Sequence, residues 1–163
     1  TCTTAPLRRL EGDDPGMFPG VFGGDPSGER VVGSSKGGKA VTLWTRGEPR
    51  QFTVPDVISM TPTAVNGTGV VVGFGSAVPL VNFRYRDGRT QLLKTPNGYP
   101  RVAVAEVNQR GDALGVVATA ESFDHGLALV VWPADRPDRG RPRGPARRPA
   151  SRRVRRAGAR CRP

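Results

Sequence analysis

A short motif recurs along the chain and narrows the folds open to it. Ala64-Val65-Asn66-Gly67-Thr68-Gly69-Val70-Val71-Val72-Gly73 is a polar turn followed by an apolar run that ends in glycine. Val107-Asn108-Gln109-Arg110-Gly111-Asp112-Ala113-Leu114-Gly115 repeats the arrangement, and Asp25-Pro26-Ser27-Gly28-Glu29-Arg30-Val31-Val32-Gly33 is a looser copy. Asn66 and Gly69 stand three residues apart, as do Asn108 and Gly111, and Asp25 and Gly28. An Asn or Asp at the first position of a type I turn bonds back to its own backbone, and glycine suits the fourth position. Each turn is therefore expected to lead into a strand that closes on Gly33, Gly73 or Gly115.

The second half of each unit agrees. Ala40-Val41-Thr42-Leu43-Trp44, Val81-Asn82-Phe83-Arg84-Tyr85 and Ala128-Leu129-Val130-Val131-Trp132 all end in an aromatic residue. Trp44 and Tyr85 lie 41 residues apart, and Tyr85 and Trp132 lie 47 apart. Gly47 and Gly88 follow the first two aromatics at the same distance, as do Phe52 and Leu93, and Pro55 and Pro96. A period near forty with about four short strands per unit lies in the range of propeller blades. Pro and Gly interrupt every window long enough for a helix, and β-branched residues dominate the apolar set, so the fold class is all-β. The expected units run from about 21 to 55, 57 to 96 and 102 to 133, with an insertion around Thr119 to Gly126. Leu7 to Leu10 reads as the last strand of a preceding unit, either completing a final blade or marking a cut edge.

These landmarks resemble the HAF-type repeats of bacterial extracellular proteins, over about Leu7 to Pro133. Ala40 and Ala128 hold the alanine of that repeat's His-Ala-Phe, and Val81 replaces it in the middle unit. The resemblance implies a β-propeller-like, non-enzymatic, exported module, in which Gly33, Trp44, Asn66, Gly69, Gly73, Tyr85, Asn108, Gly111, Gly115 and Trp132 define the repeat. The role stays undefined; an unnamed protein or polysaccharide is the expected partner, and the chain is expected to be secreted or extracellular.

From Ala134 the composition changes. The segment 134–163 holds 12 Arg and 5 Pro, no aromatic residue, and Val154 as its one large aliphatic. It cannot bury enough apolar surface to offset ordering, so it reads as a disordered basic tail behind a β-repeat body of residues 1–133. The tail carries +10 of the net charge of +11, so the high isoelectric point says little about the body. By analogy with Phe52 and Leu93, an apolar strand residue belongs at Gly140, and the repeat is expected to stop in mid-unit. Two accounts fit: a real basic extension, or a shifted reading frame in GC-rich coding DNA. The second is favoured, because a natural tail would follow a finished strand. Arg147, Arg148, Arg152, Arg153, Arg155 and Arg156 are the candidate contacts to a polyanion, with nucleic acid bound only non-specifically. An incomplete β-stack is also expected to self-associate through open sheet edges.

Candidate chemistry is thin. Gly33-Ser34-Ser35-Lys36-Gly37-Gly38-Lys39-Ala40 nearly matches a phosphate-binding loop, but Ala40 stands where the magnesium-ligating Ser/Thr belongs and a strand is expected to follow. Gly33, Ser35 and Gly37 fit the hydrolase elbow pattern, which also needs a following helix. His125, beside Ser122 and Asp124, is the single histidine and reads as part of a loop insertion. Cys2 and Cys161 do not form a disulfide framework, although an exported chain could join them. Asn66-Gly67-Thr68 fits a glycosylation sequon, and the tight turn accounts for the same residues. No run of eighteen apolar residues exists to span a membrane. No catalytic residue, cofactor or metal is assigned.

Overall fold

The structure is a computed structural model, and it describes residues 7–8, 20–77, 79–118 and 127–143. The described residues form twelve strands in three four-stranded antiparallel meanders. The first contains β1 (Val21–Gly24), β2 (Arg30–Ser35), β3 (Ala40–Thr45) and β4 (Glu48–Phe52). The second contains β5 (Ser59–Val65), β6 (Val71–Ser76), β7 (Val81–Arg86) and β8 (Arg89–Leu93). The third contains β9 (Arg101–Val107), β10 (Ala113–Ala118), β11 (Leu127–Trp132) and β12 (Arg141–Arg143). One 3-10 turn, Lys36–Gly38, is the sole other regular element among the described residues.

The repeat turns lie between the first and second strands of each sheet. The Gly28 N–H donates to the Asp25 carbonyl at 3.0 Å; Gly69 to Asn66 and Gly111 to Asn108 do the same at 2.9 Å. These three glycines have φ of 73°, 83° and 88°, a left-handed conformation that glycine adopts without steric cost. The links between third and fourth strands are two-residue hairpins in the first two sheets. Both central residues have positive φ there: Arg46 at 52° and Gly47 at 84°, Asp87 at 49° and Gly88 at 81°. That is the type I′ turn, whose twist suits a hairpin.

The repeat glycines Gly33, Gly73 and Gly115 have a different role. Each faces a bulge on the first strand of its own sheet: the register slips between Val21 and Gly23, between Pro62 and Ala64, and opposite Leu114/Gly115 on β9. A Cβ on Gly115 would sit 2.5 Å from the Ala103 carbonyl and 2.9 Å from the Trp132 ring. One on Gly73 would meet the Thr61 carbonyl and come within 2.7 Å of the Phe83 ring, and one on Gly33 would meet the Gly20 carbonyl. Bulge, glycine and third-strand aromatic ring thus occupy one tight site per sheet.

The sheets stack in chain order, with β1 and β2 against β5, and β5 and β6 against β9. Side chains alternate between two faces, here called front and back. The front of the first sheet (Val32, Val41, Leu43, Phe52) packs on the back of the second (Met60, Val65, Val71, Phe83, Tyr85). The front of the second (Ala64, Val72, Leu93) packs on the back of the third (Val102, Val104, Ala113, Val117, Val130, Trp132). Most of these side chains are fully buried, and each large one contributes about 1.5–3 kcal/mol.

The expectation of a repeat broken off at Pro133 is corrected. β12 lies inside the segment assigned to the tail, pairs with β11 through Val131↔Arg141 and Leu129↔Arg143, and completes the third sheet. Its approach differs from the other two units. The stretch 133–140 replaces a two-residue hairpin and folds as two successive turns, Arg136 N–H to Pro133 O and Arg139 N–H to Arg136 O, each 3.1 Å. At Gly140, where an apolar strand residue is expected, a Cβ would lie 2.6 Å from Trp132 Nε1. Backbone pairing, rather than apolar side chains, makes this strand. Residues 144–163 lie outside the described residues, and so do all six tail arginines named above.

Gly115→Ala is expected to destabilise the chain by about 2–3 kcal/mol through overpacking against backbone. Gly47→Asn, at a left-handed turn position with open space around it, is expected to cost under about 1 kcal/mol. Urea unfolding of the two variants measures the contrast.

Candidate functional site

The repeat turns form a polar line across the stack. Asn66 is buried, and its Oδ1 accepts from the Thr68 N–H at 3.0 Å, the Thr68 hydroxyl at 2.9 Å and the Val70 N–H at 2.9 Å. Its Nδ2 donates to the Asn108 carbonyl of the next turn at 2.7 Å, and the Gly67 N–H donates to Gln109 Oε1 at 3.1 Å. Asn108 organises its own turn through Arg110 and Asp112 N–H groups, each at 3.0 Å. Asp25 does likewise, accepting from the Arg30 N–H at 2.7 Å and from the Ser27 hydroxyl. As a carboxylate it has no N–H with which to continue the line toward Asn66. Asn66 and Gly67 thus tie the turn of the second unit to that of the third, while Asn108 and Asp25 order their own turns.

The aromatics carry a second set of links. Trp132 Nε1 donates to the Lys94 carbonyl, just past β8, at 2.9 Å. Trp44 Nε1 donates to the Arg8 carbonyl at 2.8 Å. Arg8 therefore holds, for the first sheet, the place that Lys94 holds for the third. Tyr85 stacks on Phe52 of β4, with ring centroids 3.8 Å apart and planes within 3°.

The loop that imitates a phosphate-binding motif has another geometry. Lys36–Gly38 is a single 3-10 turn that leads directly into β3, so no helix N-terminus stands behind it. The Ser35 hydroxyl is buried on the back of the first sheet and accepts from Thr42 Oγ1 and Gln51 Nε2, each at 2.8 Å. It is a satisfied core hydroxyl. Ser122, Asp124, His125, Cys2 and Cys161 lie outside the described residues. No described helix is long and apolar enough to cross a membrane.

A site that the motif reading missed lies between the second and third sheets. Arg84, on the front of β7, is 5% exposed. Its Nη2 donates to Gln91 Oε1 at 2.7 Å and to the Ala134 carbonyl at 2.8 Å; its Nη1 donates to the Gly111 and Pro133 carbonyls at 3.3 and 3.4 Å. Nε is buried without a partner. No carboxylate contacts the guanidinium among the described residues, and its pKa is lowered, by burial first and by Arg86 second, with Asp112 and Asp135 opposing from further away. Arg84, Arg86, Asp87, Arg89, Gln91 and Ala134 line a cleft of about 420 Å³. Arg86 is held by Asp87 at 3.2 Å, whereas Arg89 has no ion pair among the described residues. The cleft is a net positive concavity with one buried cation held only by carbonyl and amide dipoles. Arg84 occupies the register position of Leu43, one residue before the repeat aromatic, and an Arg in a core slot was the available signal.

No family model, curated protein or solved structure matches the chain.

Asp25 and Asp112 give the turns a pH dependence. The Ser27 hydroxyl, aided by the Arg30 and Ser27 N–H groups and the Arg30 charge, outweighs burial and holds Asp25 below the ordinary 3.8. Asn108 Nδ2 and the Ala134 N–H, aided by Arg110, do the same for Asp112. A depressed folded-state pKa contributes stability that is fully present above the unfolded value and lost as pH falls through the folded one. Thermal unfolding is therefore expected to be flat above about pH 5 and to fall steeply below about pH 4. Asp25→Asn, which keeps the turn acceptor, is expected to flatten that fall, and Asn66→Ala to cost about 2–3 kcal/mol at every pH.

Proposed function

We propose that the chain is a non-enzymatic binding module of the β-propeller-like repeat type, exported from the cell, and that its arginine cleft receives an oxyanion on the ligand, carboxylate or phosphate. Three four-stranded meanders with first strands side by side support the propeller reading. Four or more such blades make a closed ring. The observation that carries the binding reading is Arg84: a guanidinium buried with no carboxylate on it among the described residues, beside two further arginines in an open cleft. Buried charges are ordinarily paired, and an oxyanion in the cleft would supply the missing countercharge. Arg86 and Arg89 would provide the reachable donors, and Gln91 holds Arg84 in place.

Calorimetric titration with inorganic phosphate at low ionic strength tests this. Binding in the millimolar range or tighter is expected, weakening as salt rises. Arg89→Ala is expected to weaken it at least about tenfold, equivalent to about 1.4 kcal/mol, with the circular dichroism spectrum unchanged. No heat at millimolar phosphate, or equal affinity in Arg89→Ala and Arg86→Ala, would overturn the reading.

A further inference from the structure

The front of the third sheet is the one front face that no later sheet covers among the described residues. Register gives the comparison position by position. Val32 and Val72, both fully buried, correspond to Leu114, which is 37% exposed. Val41 and Asn82, also buried, correspond to Leu129, which is 52% exposed. Leu43 and Arg84 correspond to Val131, which is half-buried. Pairing places Leu114 beside Val131 and Val116 beside Leu129, so these four side chains form one apolar patch. Patches at this register position are interfaces in the two preceding sheets.

The rows continue to charged flanks. Glu106 on β9 pairs with Leu114, and Arg141 on β12 pairs with Val131. One row across the sheet thus reads Glu106, Leu114, Val131, Arg141, with an exposed acid at one end and an exposed base at the other. Residues 144–163 hold Val154 as their one large aliphatic residue. The back of the first sheet is a poor match too. It carries the hydrogen-bonded Ser35, Thr42 and Gln51 cluster, and the Arg8 segment lies against its Trp44.

We propose that this face pairs with the same face of a second copy, forming a two-fold dimer whose axis runs along the strands between β10 and β11. That axis reverses the strand order across the interface and keeps position along the strands. Glu106 of each copy then faces Arg141 of the other, and the patches of Leu114, Val116, Leu129 and Val131 meet in the middle. A two-fold axis perpendicular to the strands would instead set Glu106 against its own copy and Arg141 against its own. Like charges at close range disfavour that packing. A two-fold interface must be self-complementary, and this row satisfies that condition.

Sedimentation equilibrium of the full 163-residue chain, from low to high micromolar concentration, is the test. A monomer–dimer equilibrium is expected. Leu129→Asp is expected to leave a monomer with an unchanged circular dichroism spectrum. Glu106→Arg and Arg141→Glu are each expected to weaken the dimer several-fold or more, and the double variant to regain at least part of that loss. A monomer at all concentrations would overturn the proposal. So would an association that survives Leu129→Asp, since open strand edges would then carry it, or single charge variants that weaken the dimer with no recovery in the double. Phosphate titration of Leu129→Asp keeps the two readings apart, because the arginine cleft lies on the opposite side of the third sheet.

Discussion

The close approach of backbone at Gly33, Gly73 and Gly115 is the constraint on which the stack depends. The bulge on the first strand brings a carbonyl over each glycine, and the third-strand ring sits on the same spot. A larger residue would push the first strand away from the second. The first strands β5 and β9 also form the contact with the preceding sheet, so that displacement would reach the inter-sheet core. Bulges bend and twist a strand. The recurrence of one bulge at one register position gives all three sheets a similar first-strand bend, and similar bends let them nest front to back.

The two interfaces built on this plan differ in chemistry. Between the first and second sheets the contact is apolar, with Val41, Leu43 and Phe52 against Met60, Phe83 and Tyr85. Between the second and third, Asn82 and Arg84 replace the aliphatic pair. Asn82 Nδ2 donates to the Val102 carbonyl at 3.3 Å, and its Oδ1 accepts from the Val104 N–H at 2.9 Å, so it ties directly to the bulged β9. Polar groups buried at such a junction impose geometry more strictly than methyl groups, because each donor needs its acceptor in place.

What could be read from the sequence was whatever local chemistry enforces. The Asn-x-x-Gly turns, the strands ending at Trp44, Tyr85 and Trp132, and the hairpin glycines Gly47 and Gly88 follow from backbone preferences and period-two patterning, and the structure has them where the motifs placed them. β5 carries Pro62 within its span and β1 carries Gly23 and Gly24, so neither displays strong strand propensity; tertiary pairing makes them strands. β12 was illegible for a related reason. Arg-Pro-Arg has the composition of a tail, and the lengthened 133–140 link moves it out of the repeat spacing. The Arg84 cleft was hidden because its acceptors come from three separate places: Gln91, Gly111 and the 133–134 link.

That lengthened link also bears on how far the units are modules. In the first two sheets the third-to-fourth connection is a minimal hairpin, but in the third it folds back far enough to present the Pro133 and Ala134 carbonyls to Arg84 of the sheet before it. The insertion and the arginine are therefore partners across a unit boundary, though separated by 50 residues in the chain. A chimera that moved the third unit behind the first would set those carbonyls against Leu43, which has nothing to donate. The repeat is uniform in its backbone plan but ordered in its side chains, and each unit is specified partly by the neighbour it follows.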